Sequence, residues 1–207
     1  MRLASLHRNN LPVEPIWHVM AAVGAAIILQ LLLSDTLSFG SKFVIAGLEV
    51  LLMITLAIPQ FSAVGKRLFA IVLLSLISVA NIVSLSLVIQ ALFAKPVING
   101  RQLLISSVAI YLTNIIVFGM WYWELDNTKE DVPDFLFPQL SNGPPLTSGW
   151  KPTFFDYLYV SVTNATAFSP TDTLPITHRA KLLMTVQSII SLVTVALVAA
   201  RAVNILT

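Results

Sequence analysis

The chain has no cysteine, and only 11 % of its residues carry charge. Without thiols there are no disulfides, thiolate metal sites or cysteine nucleophiles, and the redox compartment is left undefined. A soluble domain usually has about 25 % charged residues. So few charges cannot solvate a single soluble globule of 207 residues, and the 57 % hydrophobic content excludes intrinsic disorder. The charges also nearly cancel, at +2, which is too weak a field to mark a nucleic-acid partner. No HExxH, GxSxG or phosphate-cradling glycine loop is present, so an enzyme is not expected. His7, His18 and His178 are scattered through the sequence and suggest neither a metal site nor a cofactor.

What the chain does have is long apolar runs, and its mean hydropathy is +0.84. Hydrocarbon cannot hydrogen-bond the backbone, so a spanning helix needs about 20 mostly apolar residues. Five stretches qualify, at about 16–33, 43–58, 68–93, 103–120 and 182–206. Trp17 and the Trp121-Tyr122-Trp123 belt suit membrane interfaces. Two arginines precede the first run, but no small-residue cleavage pattern follows Leu33, so that run is expected to be retained. The expectation is an all-α, multi-pass membrane protein in contact with lipid, with three N-terminal spans over residues 1–100 and a second region over 101–207.

Composition changes once, over 124–151, where five acids mix with four prolines. That is a solvated, turn-rich loop. The following segment, 152–166, is too short and too polar at its end to span. Pro152 suits a first helical turn, and Asp156 suits the positive end of a helix dipole. Two readings fit these residues: a re-entrant helix ending at a polar bend, or an amphipathic helix lying on the surface.

Residues 161–182 read SVTNATAFSPTDTLPITHRAKL. This string resembles the pore region of the potassium-channel superfamily, in which a pore helix, a TVGYG filter, an Asp, a Pro and a basic-Leu pair lead into an inner helix. Aligned without gaps, Thr166 matches the Thr before the filter, and Ala167, Phe168, Ser169, Pro170 and Thr171 occupy the filter positions. Asp172 matches the filter-flanking acid, Pro175 and Thr177 match the Pro and Thr beyond it, and Lys181-Leu182 match the start of the inner helix. The WYWE and TNATAFSPTD strings also resemble a family of uncharacterised bacterial membrane proteins, which implies no activity. The channel resemblance implies a homotetramer in a bacterial inner membrane that passes monovalent ions. It also implies an outer helix (the fourth span), a pore helix at 152–166, a filter-like segment at 167–172 and an inner helix at 182–206.

The match departs at the filter. Ser169 and Thr171 stand where glycines would turn carbonyls toward the axis, and Pro170 fixes φ. The residues therefore support the layout of a pore without potassium selectivity. Side-chain oxygens of Asn164, Thr166, Ser169 and Thr171 stand in for missing carbonyls in this reading. Gln187, Ser191, Thr194 and Arg201 recur on one face of the last span, either lining a cavity or joining helices. Arg201 facing the axis would favour anions; near the chain end it would instead snorkel to the interface. Glu49 in the second span, with Asn81 and Asn114 at comparable depth, forms a candidate intramembrane polar cluster, for helix joining or for a proton or ion.

The resemblance sets the acidic loop outside; the Lys and Arg of the short segments divide four against four and give no orientation, while Lys129, Lys151, Arg179 and Lys181 between the last two spans favour the opposite one. A non-conducting scaffold on the same fold is the rival reading. A secondary transporter lacks the inverted repeat it would need.

Overall fold

The computed structural model describes residues 17–33, 37–38, 42–57, 63–93, 99–126, 133–141, 150–166 and 173–206. Seven helices and one two-stranded ribbon lie among the described residues: α1 (Trp17–Leu32), α2 (Lys42–Ala57), α3 (Ala63–Phe93), α4 (Gly100–Asp126), β1 (Phe135–Leu136), α5 (Pro138–Ser141), α6 (Phe154–Thr166), β2 (Leu174–Pro175) and α7 (His178–Leu206). The chain is all-helical in class, as its hydropathy implies.

Among the described residues three helices are long and apolar enough to cross a membrane: Arg67–Ala91 within α3, Gly100–Asp126, and His178–Ala200 within α7. The first two expected spans form helices of 16 residues each, α1 and α2. At 1.5 Å per residue each is about 24 Å long, shorter than a hydrocarbon core of roughly 30 Å. The expected fourth span extends past its aromatic belt to Asp126, because Glu124 and Asp126 are both buried by tertiary contacts.

α1 packs on α2, α2 on α3, α3 on α4 and α4 back on α1, which closes a four-helix bundle. Two apolar clusters fill its ends. One joins Val19 and Val23 of α1, Leu52 of α2, Leu73 and Ile77 of α3, and Val117 and Met120 of α4. The other joins Leu33 and Leu37 to Leu85 and Val88 of α3 and to Leu103 and Ile110 of α4. Each is drawn from residues three, four or seven apart, the period that sets one helix face toward a core.

α4 also belongs to a second assembly. α6 and α7 pack on its opposite face and on each other. A third cluster holds this side together, built from Phe118 and Tyr122 of α4, Phe135 and Phe137 around β1, Tyr157 and Val160 of α6, and Ala180 of α7. Its rings meet edge-on: the Phe137 and Tyr157 centroids are 5.4 Å apart at 90°, a favourable quadrupole arrangement. α4, buried on both sides, is the wall shared by the two assemblies.

Candidate functional site

The entrance of α6 is fixed locally. Its first turn is capped by Thr153 and Asp156, with the Asp156 carboxylate accepting from the Thr153 backbone N–H at 2.7 Å and from its hydroxyl at 2.8 Å. This is a variant of the capping box, and it starts the helix at Phe154, two residues beyond Pro152.

Below that cap, α6 runs inward along α4. Near the α4 end, the Tyr157 hydroxyl donates to Asp126 at 2.6 Å. One turn deeper along α6, the Ser161 hydroxyl donates to the Ile115 carbonyl at 2.6 Å. Ile115 lies about eleven residues, or roughly 16 Å at 1.5 Å per residue, inside the end of α4. Between these contacts the two backbones come close at Gly119. A Cβ there would sit 3.2 Å from the Leu158 Cα, so only glycine allows this approach without displacement. A helix lying flat across the end of α4 would not reach Ile115. α6 descends instead.

The deep half of α6 is tied to α7 by a buried polar network centred on Gln187, which has no exposed surface. Its carbonyl oxygen accepts from the Tyr122 hydroxyl at 2.5 Å and from the Asn164 amide at 2.8 Å. Its own amide donates to the Ser161 hydroxyl at 2.7 Å and to the Ser161 carbonyl at 3.0 Å. Asn164 also donates to the Met184 carbonyl at 2.9 Å and accepts from Ser188 at 3.0 Å. Both polar atoms of the Gln187 side chain are thus satisfied by two other helices at once, α4 and α6. In a low dielectric such a network fixes geometry, since each bond lost would leave a buried orphan.

The polar stripe of α7 is the face that packs inside the chain. Gln187, Ser191 and Thr194 are all fully buried. Ser191 accepts from Asn114 of α4 at 3.1 Å, and Thr194 returns its hydroxyl to the Ile190 carbonyl at 2.7 Å. The open face of α7 is apolar and includes Leu182, Ile189, Leu192 and Val195. Of the two readings offered by the four-three spacing, helix joining describes the Gln187 and Ser191 contacts, while the Thr194 bond stays within α7. The backbone of Arg201 belongs to α7, and its side chain lies outside the described residues. So does the whole filter-like segment from Ala167 through Phe168, Ser169, Pro170 and Thr171 to Asp172. Thr166, just before it, bonds back to Val162 at 3.0 Å within α6.

Sequence reasoning missed a clasp on the α4-end side. β1 pairs antiparallel with β2, Phe135 opposite Pro175 and Leu136 opposite Leu174. Beside it, Asp134 is 1 % exposed in its side chain and pairs with Arg179 at 3.2 Å. The same carboxylate accepts from the Thr177 hydroxyl. The Asp134 backbone N–H in turn donates to Asp126 at 2.5 Å. The end of α4, the start of α6 and the start of α7 are therefore locked in one cluster. The signal in the sequence was Asp134 itself, an acid between Pro133 and three apolar residues, in a loop otherwise read as solvated.

The expected Glu49–Asn81–Asn114 cluster is not formed. Asn114 faces α7 through Ser191, Asn81 donates to the Ile110 carbonyl at 3.4 Å, and neither Glu49 oxygen has a hydrogen-bond partner among the described residues.

Among the described residues no three His, Asp or Glu side chains gather as a metal site. An open groove of about 520 Å³ between α1, α4 and α6 is lined only by apolar residues such as Ile28, Leu112 and Val162, so it offers no catalytic group. Neither a family model, nor a curated protein, nor a solved structure matches the chain.

Proposed function

We propose that the α4–α6–α7 assembly is a re-entrant pore module. In this reading four copies surround one axis and pass monovalent cations passively through a filter unlike TVGYG. The observation that carries it is the descent of α6. A capped helix of 13 residues enters between two spanning helices, reaches the level of Ile115 and is held there by Gln187. Its C-terminal end then lies at mid-depth, where helix carbonyls present partial negative charge to a cation without any charged side chain.

The buried state of Gln187, Ser191 and Thr194 refines the proposal. The walls below the filter would come from the apolar open face of α7, around Ile189 and Leu192, rather than from the polar stripe. Such a cavity is poorly wetted, and its conductance would be low. Phe155 and Tyr159, exposed on α6, would meet neighbouring copies or lipid.

The test is flux through purified protein in liposomes. Passage of potassium and sodium, with tetramers in the same lipid, supports the reading. No flux of potassium, sodium or larger cations favours the non-conducting scaffold. A current that reverses with the chloride gradient favours an anion path past Arg201.

A further inference from the structure

The α1–α4 bundle contains a set of polar side chains that its packing leaves unanswered. Besides His18 and Arg67 near the starts of α1 and α3, each of its four helices contributes one. Gln30 of α1 is 3 % exposed, and Glu49 of α2, Ser84 of α3 and Thr113 of α4 are each 1 % exposed. The Gln30 amide nitrogen, both Glu49 oxygens and the two hydroxyl oxygens have no hydrogen-bond partner among the described residues. All four residues lie on the inward faces. Gln30 continues the buried row Val19, Val23 and Ala26. Thr113 falls between Ile110 and Val117, which belong to opposite apolar clusters. Ser84 lies one turn from Val88 of the lower cluster, and Glu49 one turn from Leu52 of the upper.

One unpartnered hydroxyl in a core is a local cost of about 1–3 kcal/mol. Five such atoms on four facing helices, one of them a carboxyl, call for a common partner. The set mixes donors with acceptors. A bare metal ion would satisfy the oxygens and repel the Gln30 amide, whereas water bonds both.

We propose that these four side chains bound a hydrated proton-binding site in which the Glu49 carboxylate takes up a proton and ordered water links the other groups. The proton comes from water and returns to it, so one O–H bond forms at Glu49 as one is broken in the solvent chain. Apart from the Tyr111 phenol on α4, the ionisable groups on these helices are His18 on α1, Lys42 on α2, Lys66 and Arg67 on α3, and Arg101, Tyr122, Glu124 and Asp126 on α4. They lie toward the helix ends, and Arg67 acts electrostatically on Glu124 instead. Glu49 therefore has no fixed counter-charge at its own level, and protonation is the remaining way to neutralise it in hydrocarbon. The site is separate from the α6 module and does not depend on conduction.

Infrared difference spectra of the full chain in lipid nanodiscs, taken between acid and alkaline pH, test this. A carboxylic-acid C=O band is expected at acid pH that disappears reversibly on alkaline titration, shifts in D2O and is missing from Glu49→Gln. Thr113→Val and Ser84→Ala keep the acid but remove a partner of the water network, and each should move that band to higher frequency. This second arm stands even if Glu49→Gln fails to fold. Identical spectra for wild type and Glu49→Gln would overturn the proposal. So would an unmoved band in both hydroxyl variants, or loss of the band when sodium is added at constant pH.

Discussion

The two sides of α4 treat buried polarity in opposite ways. On the α6–α7 side, Gln187, Asn164, Ser161 and Tyr122 answer one another, so polar atoms there set helix positions. On the α1–α3 side, Gln30, Glu49, Ser84 and Thr113 are equally buried and unanswered by protein. Burial alone therefore does not distinguish a structural polar residue from one that awaits a ligand. What distinguishes them is whether a neighbouring helix supplies the complementary atom. A satisfied network rigidifies its surroundings, and an unsatisfied one binds what can satisfy it.

The contrast is sharpest for two substitutions by leucine, a residue of similar bulk. Gln187→Leu leaves Tyr122, Asn164 and Ser161 without partners, and a loss of about 3 kcal/mol is expected from several orphaned groups. Reversible unfolding in bicelles measures it. A loss under a few tenths would mean that the network adds nothing to α6 placement.

A smaller loss is expected at the clasp. Asp134→Ala removes the acceptor of Thr177 and the partner of Arg179. Arg179 is half exposed and resolvates, so the cost is about 2 kcal/mol rather than that of a stranded buried charge. The readout is faster proteolysis at residues 133–141, since the clasp ties that described segment to α7. Unchanged digestion would show that the aromatic cluster alone holds it.

Gly119→Val tests the close approach itself. The added carbons meet the Leu158 backbone, and overpacking of this kind costs about 1–2 kcal/mol. Cross-linking yield between cysteines introduced at 115 and 161 should fall as α6 moves off α4. An unaltered yield would mean that the two helices separate elsewhere.

The smallest effect is expected for Glu49→Leu. Replacing an unpaired buried acid by an apolar side chain is close to neutral, or stabilising. Unfolding measured beside Gln187→Leu decides the matter. If both variants lose about 3 kcal/mol, Glu49 has protein partners and the contrast between the two sides fails.

The helical class was legible because an apolar run in a low-charge chain has few alternatives. A short helix over Phe154–Thr166 was legible because Pro152 and Asp156 mark a first turn, and because the polar TNAT string leaves too few apolar residues to span. The extents of α1 and α2 were legible to within a residue, expected at 16–33 and 43–58 and found at Trp17–Leu32 and Lys42–Ala57. The clasp was hidden because Asp134 sits among loop acids and its partners, Thr177 and Arg179, are more than forty residues away.

Composition and hydropathy by themselves determined that this chain is helical and apolar enough for a membrane, because the backbone must satisfy itself wherever water is missing. Periodicity also placed Gln187, Ser191 and Thr194 on one face of α7. Only the tertiary structure decided that this face turns inward onto α4 and α6, and that Glu49 turns into a bundle with no partner for it. A helix's period fixes which residues point the same way, but the direction they point is set by the neighbouring helices that pack against it.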